Sequence, residues 1–151
     1  MGRLVQSYFR RLDREATAEN AEGLLSDFRH REQKAKRADV LGLKSPAMDG
    51  MPRNDTVENS VERRITDHLS DQEFVERVRR ALECIEDDTS RLILQGLYIG
   101  RPIKAEALME RLTMSNTAYY HAKEEALVAF AEVWPPVPSE LLVYRTVRDD
   151  G

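Results

Sequence analysis

The chain has 151 residues, 41% of them hydrophobic and 33% charged, with a formal net charge of −4. That length holds one domain, or a small domain with an appendage, and the abundance of helix formers points to an all-α protein. No apolar run approaches the roughly 20 residues needed to cross a bilayer, and a single cysteine excludes an internal disulfide or a cysteine-held zinc.

The first residues, MGRLVQSYFRR, lack the continuous apolar core of a secretory signal, so a reducing cytoplasm is the expected compartment. Leu4, Val5, Tyr8, Phe9 and Leu12 stand at helical spacing among arginines. They predict a short amphipathic helix that docks on the body or meets a partner. Thr17 is the expected N-cap of a longer helix, with Ala21, Leu24, Leu25 and Phe28 on one side. That helix runs into a basic stretch over residues 29–37. Cations at a helix C-terminus are ordinarily a solvated, dipole-favoured face. The same stretch is also the densest positive patch in the chain and a candidate for phosphate contacts. His30 has no second ligand at metal spacing and reads as surface.

Residues 1–41 are thus expected as an N-terminal helical arm, and 42–55, rich in Gly and Pro, as a linker or surface loop. A helical body is expected over 56–134. Val57, Val61, Ile65 and Leu69 form a narrow apolar seam that either joins the body or pairs with its twin in a dimer. Ser70 and Glu73 have capping-box spacing and begin a helix presenting Phe74, Val78, Ala81, Leu82 and Ile85. Cys84 lies on it and is expected to be buried as a small hydrophobe. Asp87, Asp88 and Thr89 cap a helix carrying Leu92, Ile93, Leu94 and Leu97.

Residues 104–134 carry the pattern of a helix-turn-helix. A short helix over 104–112 puts Leu108 and Leu112 on one face. A tight turn follows at Thr113, Met114 and Ser115, with Met114 plugging the angle. Thr113 stands where such turns often carry glycine for left-handed backbone. Ser115 is the expected N-cap of the second helix, whose inward stripe is Tyr119, Ala122, Ala126, Phe130 and Val133. Off that stripe lie Asn116, Thr117, Tyr120, His121 and Lys123. These are hydrogen-bonding groups at a helix N-terminus, where base edges and phosphates are met. The plainer reading is a solvated face of an ordinary helical hairpin. Pro135, Pro136 and Pro138 stop the helix after Trp134 and open a tail over 135–151. In that tail Leu141, Leu142, Val143 and Tyr144 fold back, and the last residues fray.

Charge limits what one copy can do. Residues 87–134 hold Arg91, Arg101, Lys104, Arg111 and Lys123 against Asp87, Asp88, Glu106, Glu110, Glu124, Glu125 and Glu132. Affinity for duplex DNA comes largely from phosphate neutralisation. A single copy should bind weakly, and a homo-oligomer is expected. No Gly-rich phosphate loop, HExxH motif or Ser-His-Asp set is visible, so neither an enzyme nor a cofactor or metal is expected.

The segment SRLILQGLYIGRPIKAEALMERLTMSNTAYYHAKEEAL resembles the fourth conserved region of bacterial sigma factors, which reads promoter DNA. The likeness lies in the apolar run before Tyr98, the Leu108, Leu112 and Met114 frame, Ser115, and Tyr119, Ala122, Ala126 and Leu127. Across about residues 10 to 134 the order of features resembles the ArpU family of phage and prophage transcriptional regulators. Those features are Leu12-Asp13 with Thr17, the Pro-containing gap, the start at Ser60-Val61-Glu62, Ile93-Leu94 with Tyr98-Ile99, and SNTAYYHAKEEALVAFA from Ser115. The resemblance implies a cytoplasmic regulator of late phage genes that binds promoter DNA and touches RNA polymerase. It places Asn116, Thr117, Tyr120 and His121 at the bases, and Arg101, Lys104 and Lys123 near phosphates. Two other readings remain: a protein-interaction module on the same fold, and a small-terminase-like packaging protein that binds DNA as a ring.

Overall fold

The computed structural model describes residues 10–42 and 69–146. It is mostly helical, as expected, with one small two-stranded sheet. In chain order the elements are β1 (Arg10–Leu12), α1 (Arg14–Ser26), α2 (Phe28–Leu41), α3 (Asp71–Cys84), α4 (Asp88–Tyr98), α5 (Ala105–Leu112), α6 (Asn116–Val133) and β2 (Tyr144–Thr146). The expected seam at Val57, Val61 and Ile65 and most of the 42–55 stretch lie outside the described residues, as do residues 1–9.

The chain's start departs from expectation. Residues 10–12 form a strand rather than the end of an amphipathic helix, pairing antiparallel with residues 144–146. Asp13, not Thr17, caps α1: its Oδ1 accepts from Ala16 N–H at 3.1 Å. Asp and Thr are both good caps, and tertiary contact decides between them. Thr17 sits inside the helix with no exposed surface, and its Oγ1 accepts from Val143 N–H at 2.9 Å. The returning tail therefore takes the hydroxyl that the sequence offered to the helix end. This also corrects the frayed end at Arg145 and Thr146, which lie in β2.

The expected single long helix is two, hinged at Asp27, with Phe28 fully buried just after the break. Two arginines of the basic stretch turn inward. Arg29 donates to the carbonyls of Gly100 at 2.7 Å and Leu97 at 2.9 Å, answering orphan acceptors at the end of α4. Arg31 bonds Asp71 Oδ1 at 2.8 Å and Leu69 O at 2.6 Å, over the face of Phe74. Neither is a free phosphate ligand. His30, Lys34, Lys36 and Arg37 remain exposed.

The core joins both ends of the chain. Leu24, Leu25 and Phe28 from the expected arm pack with Phe74, Leu82, Leu94, Phe130, Trp134 and Leu141. Trp134 is the hub, its ring centroid 5.5 Å from Phe130 and 6.2 Å from Phe74. The Ser70–Glu73 capping box forms, with bonds of 3.1 and 3.0 Å in the two directions. Asp87 caps α4 through Ser90 N–H at 2.9 Å. Of the α4 residues expected inside, Ile93 and Leu94 are buried, Leu97 is half-buried and Leu92 is exposed. Cys84 is also exposed. Leu82 and Ile85 take the inward positions at the end of α3, leaving the thiol on the outer side.

Candidate nucleic-acid interface

A second, smaller apolar cluster builds the helix-turn-helix. Ile93, Leu108 and Tyr119 are fully buried, with Leu97, Ile103, Met109, Leu112, Met114 and Ala122 packed around them. Gly96 lets α5 approach α4 closely. A Cβ there would stand 3.1 Å from Leu108 Cδ2.

The turn is a Schellman motif. Met114 N–H bonds Met109 O at 2.9 Å, and Thr113 N–H bonds Glu110 O at 3.2 Å. The motif needs left-handed backbone at Thr113, which has φ 58° and ψ 49°. A β-branched residue is strained there, whereas glycine is not. Thr113→Gly is expected to raise stability by about 0.5–1 kcal/mol, measured by urea unfolding. An unchanged or lowered midpoint would contradict the strain.

Ser115 caps α6 as expected, its Oγ accepting from Ala118 N–H at 3.1 Å. Beyond it Asn116, Thr117, Tyr120 and His121 are exposed, with Tyr120 at 49%. The expected inward stripe forms, but α6 also buries a second face at Leu127, Val128 and Ala131. At 100° per residue, Leu127 and Ala131 lie within about 20° of Tyr120 on the same side of the helix, about two and three turns farther along. They belong to the core shared with α1, which packs along α6. The broad free face of α6 therefore lies in its first two turns, and beyond them the exposed positions are the acidic Glu125 and Glu132. The unbroken apolar run from Ala126 to Ala131 fits burial on more than one side, but the element that covers it, α1, lies far along the chain.

Arg101 and Lys104 are exposed in the approach to α5. Lys104 occupies the N-cap position without a side-chain cap bond. His121 Nε2 is 3.3 Å from Glu125 Oε2, an ion pair only when the imidazole is protonated. Lys123 departs from the exposed set: it is half-buried, with Nζ 3.3 Å from Glu22 Oε2. The same oxygen accepts from Tyr98 Oη at 2.8 Å. Glu22 and Tyr98 were not among the expected site residues.

Two phenols behind this surface are displaced from ordinary acidity. Burial pushes Tyr98 up, aided by its bond to the Glu22 carboxylate. Burial also raises Tyr119, with Tyr120, Glu106 and Glu22 adding to it. The Tyr119 hydroxyl has no hydrogen-bond partner among the described residues.

Among the described residues, no cluster of His, Cys, Asp and Glu is placed to hold a metal, and no helix is long and apolar enough to cross a membrane. The fold and this surface define the chain as a mostly helical protein bearing a capped helix-turn-helix. No protein-family model, curated protein or solved structure matches it.

Proposed function

We propose that this chain is a sequence-specific DNA-binding transcriptional regulator. In this reading the first two turns of α6 enter the major groove, as second helices of helix-turn-helix units do. One observation carries it: Asn116, Thr117, Tyr120 and His121 are exposed together just after a capped helix start, while farther along α6 Ala126, Leu127, Val128, Phe130 and Ala131 are held in the core. Arg101 and Lys104 flank that surface and supply phosphate contacts. The resemblance to ArpU-type regulators and to sigma region four makes the target a late phage promoter, in a bacterial cytoplasm, with RNA polymerase as a second partner. The sparse positive charge calls for two copies on one site, and a ring detected by mass measurement would favour the packaging reading instead.

Base contacts specify and phosphate contacts position. Asn116→Ala is therefore expected to cost about 1–3 kcal/mol of discrimination at the base it reads and to relax preference there, scored by sequencing bound fragments. Binding should also weaken steeply with salt. Unchanged preference in both Asn116→Ala and Thr117→Ala would contradict this use of α6.

A second reading has its own support. Glu106, Glu110 and Glu125 are exposed around the same helix pair, which suits a basic protein partner better than a phosphate backbone. Partner retention from nuclease-treated host lysate, with no salt-sensitive DNA binding, would favour an interaction module.

A further inference from the structure

At the border between the free face of α6 and the part covered by α1, one oxygen gathers two donors. Glu22 Oε2, from α1, takes the Tyr98 hydroxyl of α4 at 2.8 Å and the Lys123 ammonium of α6 at 3.3 Å. Lys123 Nζ also lies 5.9 Å from the ring centroid of Tyr120, which is half-exposed on the reading face. The ammonium thus stands beside the surface that would meet DNA, yet its charge is answered from within the chain. The Lys123 side chain is 23% exposed and that of Glu22 42%, so both remain within reach of solvent and of a docked polyanion.

We propose that Glu22 is a positioning residue that withholds Lys123 from DNA phosphates and keeps sequence-independent binding weak. The inference rests on the DNA-binding reading of the same surface. A cation released from a carboxylate adds one phosphate contact to every sequence alike. Held by Glu22, Lys123 instead ties α6 to α1 and α4, and recognition depends more on the polar groups of the first two turns.

Glu22→Gln tests this, because the amide oxygen can still accept from Tyr98 while the negative charge is gone. Wild type, E22Q and E22Q with Lys123→Met are titrated with a random-sequence duplex and with a duplex selected from bound genomic fragments, across a salt series. E22Q is expected to bind both duplexes more tightly by a similar factor, up to roughly fivefold, the range of a partly exposed ion pair. Its log–log salt slope should be steeper by about 0.9, and Lys123→Met should return the slope to the wild-type value. A measurement on wild type needs no variant: the side-chain ammonium resonance of Lys123 should stay in place when DNA is added. Salt-dependent wild-type binding with an unchanged E22Q slope would overturn the inference and leave the DNA reading standing. So would a gain that persists without Lys123, or a Lys123 resonance that moves with DNA. Absence of salt-sensitive binding by wild type to either duplex would remove the DNA reading, and this inference with it.

Discussion

Leu108→Ala should destabilise the protein by about 2–5 kcal/mol, as large-to-small changes at fully buried sites do. Leu108 has no exposed surface and meets Ile93 and Tyr119 in the small cluster behind the turn. Its methyl groups also lie close to where a Cβ on Gly96 would sit. Glycine offers no side chain to fill the space left behind, so local collapse should recover little. The loss reaches function because this cluster sets α5 against α6, and with them the presentation of Ser115 and Asn116. Urea unfolding should show the reduced stability, and DNA binding should fall in the same variant at temperatures where it is still folded. Leu112→Ala, at a half-buried position, should cost clearly less. Equal small costs at both sites would mean that Leu108 does not hold the helix pair.

Stability should also fall steeply in alkali, through two named phenols. Tyr98 and Tyr119 both have acidities displaced upward in the fold. In the unfolded chain a tyrosine loses its proton near pH 10, while the native state retains it. Above that point the unfolded state binds fewer protons, so stability declines as pH rises, and the contribution is complete only below about pH 10. Tyr98, whose displacement is large, should contribute a decline approaching about 1.4 kcal/mol per pH unit between its unfolded and folded values, and Tyr119 adds a decline of the same sign. Tyr119→Phe separates the two. It removes one phenol from the slope, and near neutral pH it should raise stability by up to about 1 kcal/mol, because a buried hydroxyl without a partner is costly to keep. A Tyr119→Phe variant that is less stable at neutral pH and keeps the full alkaline slope would contradict both points.

What was legible in the sequence follows the range of the forces involved. Capping is local, and Ser70, Asp87 and Ser115 each cap the helix expected of them. The 3.6-residue period is also local, and it located the inward positions of α3, α5 and α6. Thr113 could be read as standing at a left-handed site, because the turn length and the flanking apolar residues fix the motif. Distant partners left no such trace. The β1–β2 pairing and the capture of Thr17 by Val143 depend on opposite ends of the chain meeting. The second buried face of α6 depends on α1, which the linker-like stretch after Gly42 made look like an arm. The inward turn of Arg29 and Arg31 was hidden for the same reason, since a basic run reads alike whether its charges face water or carbonyl groups. At the candidate site the exposed polar set was readable from the helix period, but the tie between Lys123 and Glu22 was not.

The most direct test of the account is an amide chemical-shift map of the full chain with a duplex selected from bound genomic fragments. The largest changes should fall on Ser115, Asn116, Thr117, Tyr120 and His121, with a second group at Arg101 and Lys104. Changes centred elsewhere, with these amides unmoved at saturating DNA, would contradict the claim that the opening turns of α6 are the surface that reads DNA.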